Sequence, residues 1–232
     1  MSVGEIHPAP AMDEEGRRQM VKPSIKGSSI SSLIEDVEKL CSSGRLSDAQ
    51  RDEYLTAEDC ELLGEPVNPA GWYDLESYTR MAELLCEVQG GGKEMLRERG
   101  AAAARRLAEA GIYQQIESVA RLREAGDLNP SERFTAYGRG LKLITTLSRS
   151  ILNFSDWKVL PSPVHPDRYQ IEVHDAQQIP EVLAYTIEGF INGLSELDES
   201  NRHQPNALWK LERVSPDLLI YHMQRALLSR VQ

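Results

Sequence analysis

Long apolar runs are missing from this chain of 232 residues. The longest are Ala101–Ala104, Val182–Tyr185 and Leu218–Tyr221, each of four residues. A membrane-crossing helix needs about 20 apolar residues, so no membrane association is expected. Cysteine is scarce: Cys41, Cys60 and Cys86 lie 19 and 26 residues apart, with no Cys-x-x-Cys pair. That spacing excludes a disulfide framework and offers no zinc knuckle. Basic charge is in deficit, with 26 Lys and Arg against 36 Asp and Glu, a net charge of −10. General nucleic-acid binding by phosphate neutralisation is therefore disfavoured. The opening Met-Ser-Val-Gly-Glu-Ile-His has neither a basic region nor an apolar stretch behind it, so no secretory signal is expected. With 41% apolar and 27% charged residues, the composition is that of a soluble, acidic, globular protein, and a cytoplasmic location is expected.

Catalytic signatures are also lacking. Gly90-Gly91-Gly92-Lys93 invites a phosphate-loop reading, but Glu87 stands where the first glycine belongs and Glu94 follows the lysine. Two carboxylates beside a phosphate repel it, and a helix linker is the expected role. His7, His165, His174, His203 and His222 form no His-x-x-x-His or Cys-His pair at ligand spacing, so no metal site is expected. His174-Asp175 sits at a strand end, where neighbouring side chains point to opposite faces. No Gly-x-Ser-x-Gly elbow exists. The pairs Glu35-Asp36 and Glu58-Asp59 fall at helix caps or solvated helix faces.

What is present is periodicity. Residues 1–27, with Pro8, Pro10, Gly16 and Pro23 and no apolar period, read as a disordered leader. Residues 28–232 read as a single α+β domain. Ile30, Leu33, Ile34, Val37, Leu40 and Cys41 mark one amphipathic helix capped by Ser28 or Ser29. Leu75, Tyr78, Met81, Leu84, Leu85 and Val88 mark a second, capped by Asp74. An alanine- and arginine-rich helix covers 94–110. A shorter one passes through Ile116, Val119 and Leu122. A long one starts at Asn129-Pro130 and runs to Ile151. The period then changes to two. Trp157 and Val159, with Tyr169, Ile171 and Val173, form a hairpin; Trp209, Leu211 and Arg213, with 218–223, form another. Between them lies a helix with Leu183, Ile187, Phe190, Ile191 and Leu194 on one face. Phe190, at mid-stripe, is expected to be fully buried, and Glu188, well off the stripe, to matter little. The expected architecture is an N-terminal helical layer packed on a four-stranded antiparallel sheet of strand-strand-helix-strand-strand order.

Six aromatic residues are the candidate ligand-binding set. Trp72 and Tyr73 end a Pro/Gly loop, and Tyr137, Trp157, Tyr169 and Tyr221 are placed to converge between the long helix and the sheet. Large rings with one polar tip suit an apolar ligand pocket and equally suit a plain core.

Three stretches, Gly71-Trp72-Tyr73-Asp74-Leu75-Glu76-Ser77-Tyr78, Arg99-Gly100, and Asn153-Phe154-Ser155-Asp156-Trp157-Lys158-Val159, resemble domains of unknown function abundant in myxobacteria. In layout such domains are similar to the group joining heme-nitric-oxide-binding domains, vinyl-reductase-type ligand domains and TRAPP subunits. The resemblance implies a bacterial ligand-sensing or assembly module. The heme members carry an axial His on the long helix before the sheet, whereas no His lies between Phe134 and Leu152 here. Tyr169-x-Ile171-x-Val173 stands in place of their Tyr-x-Ser-x-Arg. No cofactor is therefore expected. The expectations are a non-enzymatic small-molecule-sensing or regulatory module with an apolar ligand, or alternatively a structural interaction module that acts as a homodimer, with a protein partner or self-association in either case.

Overall fold

The computed structural model describes residues 22–110, 129–197 and 207–225. The helix expected through Ile116, Val119 and Leu122 lies outside them, as do residues 1–21 of the leader.

The first described element is a strand, where the sequence pattern expects a leader. β1 (Ser24–Lys26) pairs antiparallel with β2 (Trp72–Asp74), Ile25 opposite Tyr73. Ile25 is buried, so residues before 28, read as leader from the sequence, belong to the core. Too short to show a period, these strands escape pattern reading. α1 (Gly27–Ser42) follows directly. No serine caps it. Its first two amides donate to the Gly71 and Pro69 carbonyls at 3.0 and 3.1 Å, so the loop before β2 supplies the partners that helix termini require. Gly27 is demanded by this close approach: a Cβ there would overlap the Asn68 carbonyl oxygen.

α2 (Asp48–Tyr54) and α3 (Ala57–Leu62) both start with capping boxes, Ser47 with Gln50 and Thr56 with Asp59. Asp59 does more than cap. It is fully buried and takes a bidentate ion pair from Arg80, at 2.5 and 2.9 Å, which corrects its reading as a solvated acid. Arg80 belongs to α4 (Leu75–Gln89), which is capped by Asp74. Gly90 and Gly91, both at positive φ, turn the chain into α5 (Gly92–Glu109). α6 (Pro130–Ile151) starts with a third capping box, Asn129 with Glu132.

The C-terminal half contains β3 (Asp156–Pro161), β4 (Tyr169–His174), α7 (Glu181–Glu196), β5 (Trp209–Ser215) and β6 (Leu218–Met223). The strands form an antiparallel sheet in the order β3-β4-β6-β5. Register sets Trp157, Val173 and Leu219 in one row, and Val159, Ile171, Tyr221 and Leu211 in the next. Those rows make the inner face. α6 packs on β3 and α7 on β5, while α5 lies along α7 in the most extensive helix pairing of the described residues. Small residues permit it: a Cβ on Gly100 would overlap the Thr186 carbonyl oxygen, and one on Gly189 would overlap Arg97.

Two positions on α7 depart from the expected pattern. Glu188 is buried, 3% exposed, and accepts from Arg97 Nε at 3.0 Å. Phe190 and Ile187 are only half-buried. Because α5 rather than the sheet covers one side of α7, the polar flank is sealed and part of the apolar stripe stays open.

Candidate functional site

That open stripe faces a cleft of about 910 Å³, within the usual range of ligand pockets, roughly 300–1,000 Å³. Its walls have different characters. Met95 and Leu107 of α5, Leu147 and Ile151 of α6, and Ile187 and Phe190 of α7 line it, and all six are half-buried. Deeper, Leu33, Ile144, Trp157, Leu183 and Ile191 are buried. Opposite stands the polar flank of α1, with serines at 28, 29, 31 and 32. Of the apolar row of α1, Leu33 reaches the cleft floor while Ile30, Ile34, Val37 and Leu40 turn into the core, and this division of faces leaves the serines at the cleft.

Two polar contacts brace the walls. Tyr78 donates to Thr186 Oγ1 at 3.4 Å, and Thr186 in turn donates to the Val182 carbonyl at 2.8 Å. Burial raises the Tyr78 phenol above its ordinary range, against the opposing effect of the Thr186 bond. Asp36 of α1 accepts from Arg99 of α5 and from Lys39 at 3.3 Å. Burial penalises the Asp36 carboxylate, but Arg99 and Lys39 outweigh it and hold its pKa low.

Of the six candidate aromatics, Trp157 lines the cleft. Tyr221 is stacked with it, ring centroids 6.3 Å apart, and is fully buried with its hydroxyl donating to the Ala184 carbonyl at 3.1 Å. Tyr169 and Tyr137 form a separate cluster with Phe134. The Phe134 and Tyr169 rings stack at 4.2 Å, and the Tyr169 hydroxyl donates to the Phe134 carbonyl. Trp72 and Tyr73 belong to the β1–β2 ribbon. Trp72 is 45% exposed beneath Lys26, and the Tyr73 hydroxyl accepts from the Asn68 amide at 2.9 Å. The structure thus brings Trp157 and Tyr221 together and leaves the other four apart from them. The residues that reasoning from aromatics missed are the aliphatic ones, Leu147, Ile187 and Ile151. Their signal was an apolar stripe on both α6 and α7 too wide for one contact surface.

The heme carried by the heme members of that group would find no imidazole or thiolate among the described residues of this cleft. Where the long helix faces the cleft it offers Ile144, Leu147, Ser148 and Ile151, and none of these supplies an imidazole or thiolate for an axial bond. No His or Cys is among the described lining residues. Nor do the described residues hold any group of three or more His, Cys, Asp or Glu arranged for a metal ion. Among them, no helix is long and apolar enough to cross a membrane.

No family model matches the chain, and no curated protein matches it. Solved structures similar to it are H-NOX domains. A double variant of the Tt H-NOX domain is 14% identical, with a TM-score of 0.47, over 90% of this chain and 100% of that one. A mutant of the T. Tengcongensis H-NOX domain is 13% identical, with a TM-score of 0.43, over 88% and 100%. An oxygen-binding H-NOX domain related to soluble guanylate cyclases, in its oxygen complex, is 14% identical, with a TM-score of 0.42, over 90% and 100%.

Proposed function

We propose that this chain is a non-catalytic small-molecule-binding module of the sensing kind, with its ligand seated between α1, α5, α6 and α7. One observation carries the reading: six large apolar side chains on three helices stand half-exposed around one cavity. Leaving such surface open forgoes about 25 cal/mol for each Å² not buried, a cost that a ligand would recover. Three acidic groups elsewhere hold a basic partner. Asp59 holds Arg80, His174 lies 2.9 Å from Glu172, and His222 lies 2.8 Å from Glu212. These are structural roles, and they support a binding function over a catalytic one.

Titration with N-phenyl-1-naphthylamine, an uncharged dye that brightens in apolar sites, tests the reading. Saturable binding near one dye per chain is expected, weakened at least tenfold by Phe190→Lys with the circular dichroism unchanged. Absence of saturable binding, or equal binding by a folded Phe190→Lys variant, would overturn it.

A further inference from the structure

We infer that the cleft selects an uncharged hydrophobic molecule bearing one small hydrogen-bonding group, and discriminates against anions. The inference rests on the small-molecule reading above and adds the chemical class of the ligand.

Charge comes first. Among the described lining residues the charged ones are Lys39, Arg99 and Arg106 against Glu35, Asp36 and Glu98, so three cations face three carboxylates. Two of the cations are already committed, since Arg99 and Lys39 both bind Asp36. An entering carboxylate or phosphate would have to break that pairing, lie beside Glu35 and Glu98, or pair with Arg106, which is exposed. The first two cost more than they gain in a partly desolvated site, and the third is screened by water and gains little.

The backbone at the start of α1 is partly spent as an anchor. A helix N-terminus is the ordinary anion site of a fold, and the start of α1 lies at the cleft through Ser28 and Ser29. Its first two amides, however, are spent on the Gly71 and Pro69 carbonyls.

Apart from the exposed Arg106, what the described lining leaves for a ligand is neutral. The hydroxyls of Ser28, Ser29, Ser31 and Ser32 make no hydrogen bond to another described residue, and each can donate or accept. The facing wall is aliphatic and aromatic. A hydrocarbon body against α6 and α7, with a hydroxyl or carbonyl turned to the α1 serines, satisfies both sides.

Two matched pairs of probes test this. N-phenyl-1-naphthylamine and 8-anilino-1-naphthalenesulfonate differ by one sulfonate, and 1-decanol and decanoate differ in the charge of the head. The uncharged dye should bind at least tenfold more tightly than the sulfonate, and decanol should displace it at least tenfold more effectively than decanoate. Asp36→Asn frees Lys39 and Arg99, so it should strengthen sulfonate binding several-fold and leave the uncharged dye within twofold. Glu98→Gln, at an exposed position, should act in the same direction and serves if Asp36→Asn does not fold. A Ser29→Ala/Ser32→Ala variant should weaken decanol and not the uncharged dye. Equal or tighter binding of the anions overturns the inference and leaves the small-molecule reading standing; saturable binding of neither member of either pair overturns that reading itself.

Discussion

Arg97 Nε donates to Glu188 Oε2 at 3.0 Å, and the Glu188 carboxylate is almost wholly removed from water while Arg97 stays one-third exposed. This pair ties α5 to α7 on one side of the helix crossing, and two residues further on Phe190 opens to the cleft. The expected roles of the two residues are thereby exchanged. Glu188→Ala is expected to cost about 1–3 kcal/mol, because it leaves Arg97 Nε without its acceptor at a tight crossing, Glu94 holding only the Nη1 end. Phe190→Ala is expected to cost about 1–2 kcal/mol, below the ~3–5 kcal/mol of a fully buried phenylalanine. Urea denaturation of both variants measures this, and a Phe190→Ala cost of ~4 kcal/mol would place the ring in the core.

The Asp59–Arg80 pair sets an acid limit. Burial alone would raise the Asp59 carboxyl, but the hydrogen bonds from Arg80, Ser77 and Thr56 outweigh it and bring its pKa from 3.8 to about 2. The folded value lies below the unfolded one, so the ionised form stabilises the fold. That contribution is present above about pH 4 and is lost as pH falls towards 2, and it amounts to roughly 2 kcal/mol at neutral pH. Thermal unfolding from pH 7 to pH 2 should show Asp59→Asn less stable than the parent at pH 7 and the gap closing by pH 2. A gap independent of pH would mean that the carboxylate charge is not the source.

Gly100 lies where α5 crosses α7, with the Thr186 carbonyl oxygen in the space of a Cβ. Backbone, not a flexible side-chain tip, is the obstacle, so the helices must separate. Gly100→Ala is expected to destabilise by about 1–3 kcal/mol despite the better helix propensity of alanine. Unchanged or improved thermal stability would show that the crossing is looser than described.

Asn192 stitches α7 to the edge strand. Its amide oxygen accepts from the Trp209 amide at 2.8 Å, and its nitrogen donates to the Trp209 carbonyl at 3.0 Å. Asn192→Leu would leave two buried backbone groups without partners, at about 1–3 kcal/mol each when unrelieved. Faster amide hydrogen exchange at Trp209, with β4 unaffected, is the expected signature. Equal protection in the variant would show that β5 is held by β6 alone.

Hemin tests the cleft from the other side. It carries two carboxylates and needs an axial ligand, and the described lining offers neither an imidazole nor a thiolate. Titration is expected to give no stoichiometric Soret band. A sharp band at one heme per chain would show that another side chain, Met95 or Tyr78 of the cleft or a residue outside it, supplies the ligand.

Local chemistry was legible in the sequence. The apolar row from Ile30 to Leu40, the Asp74 and Asn129 caps, and the alternation through Tyr169, Ile171 and Val173 all name their elements, because period and capping depend on residues within one or two turns. The order of strands about α7 followed from the same periods. The β1–β2 ribbon did not, since three-residue strands have no period and their pairing joins segments 48 residues apart. Nor did the burial of Asp59, which needs Arg80 from another helix, or the exchange between Glu188 and Phe190. A hydrophobic stripe records which side of α7 is apolar; it does not record that α5 covers the neighbouring flank. That was decided by Gly100 and Gly189, whose missing side chains let two helices approach until one carboxylate is sealed beneath Arg97 and one phenylalanine is left facing the cleft.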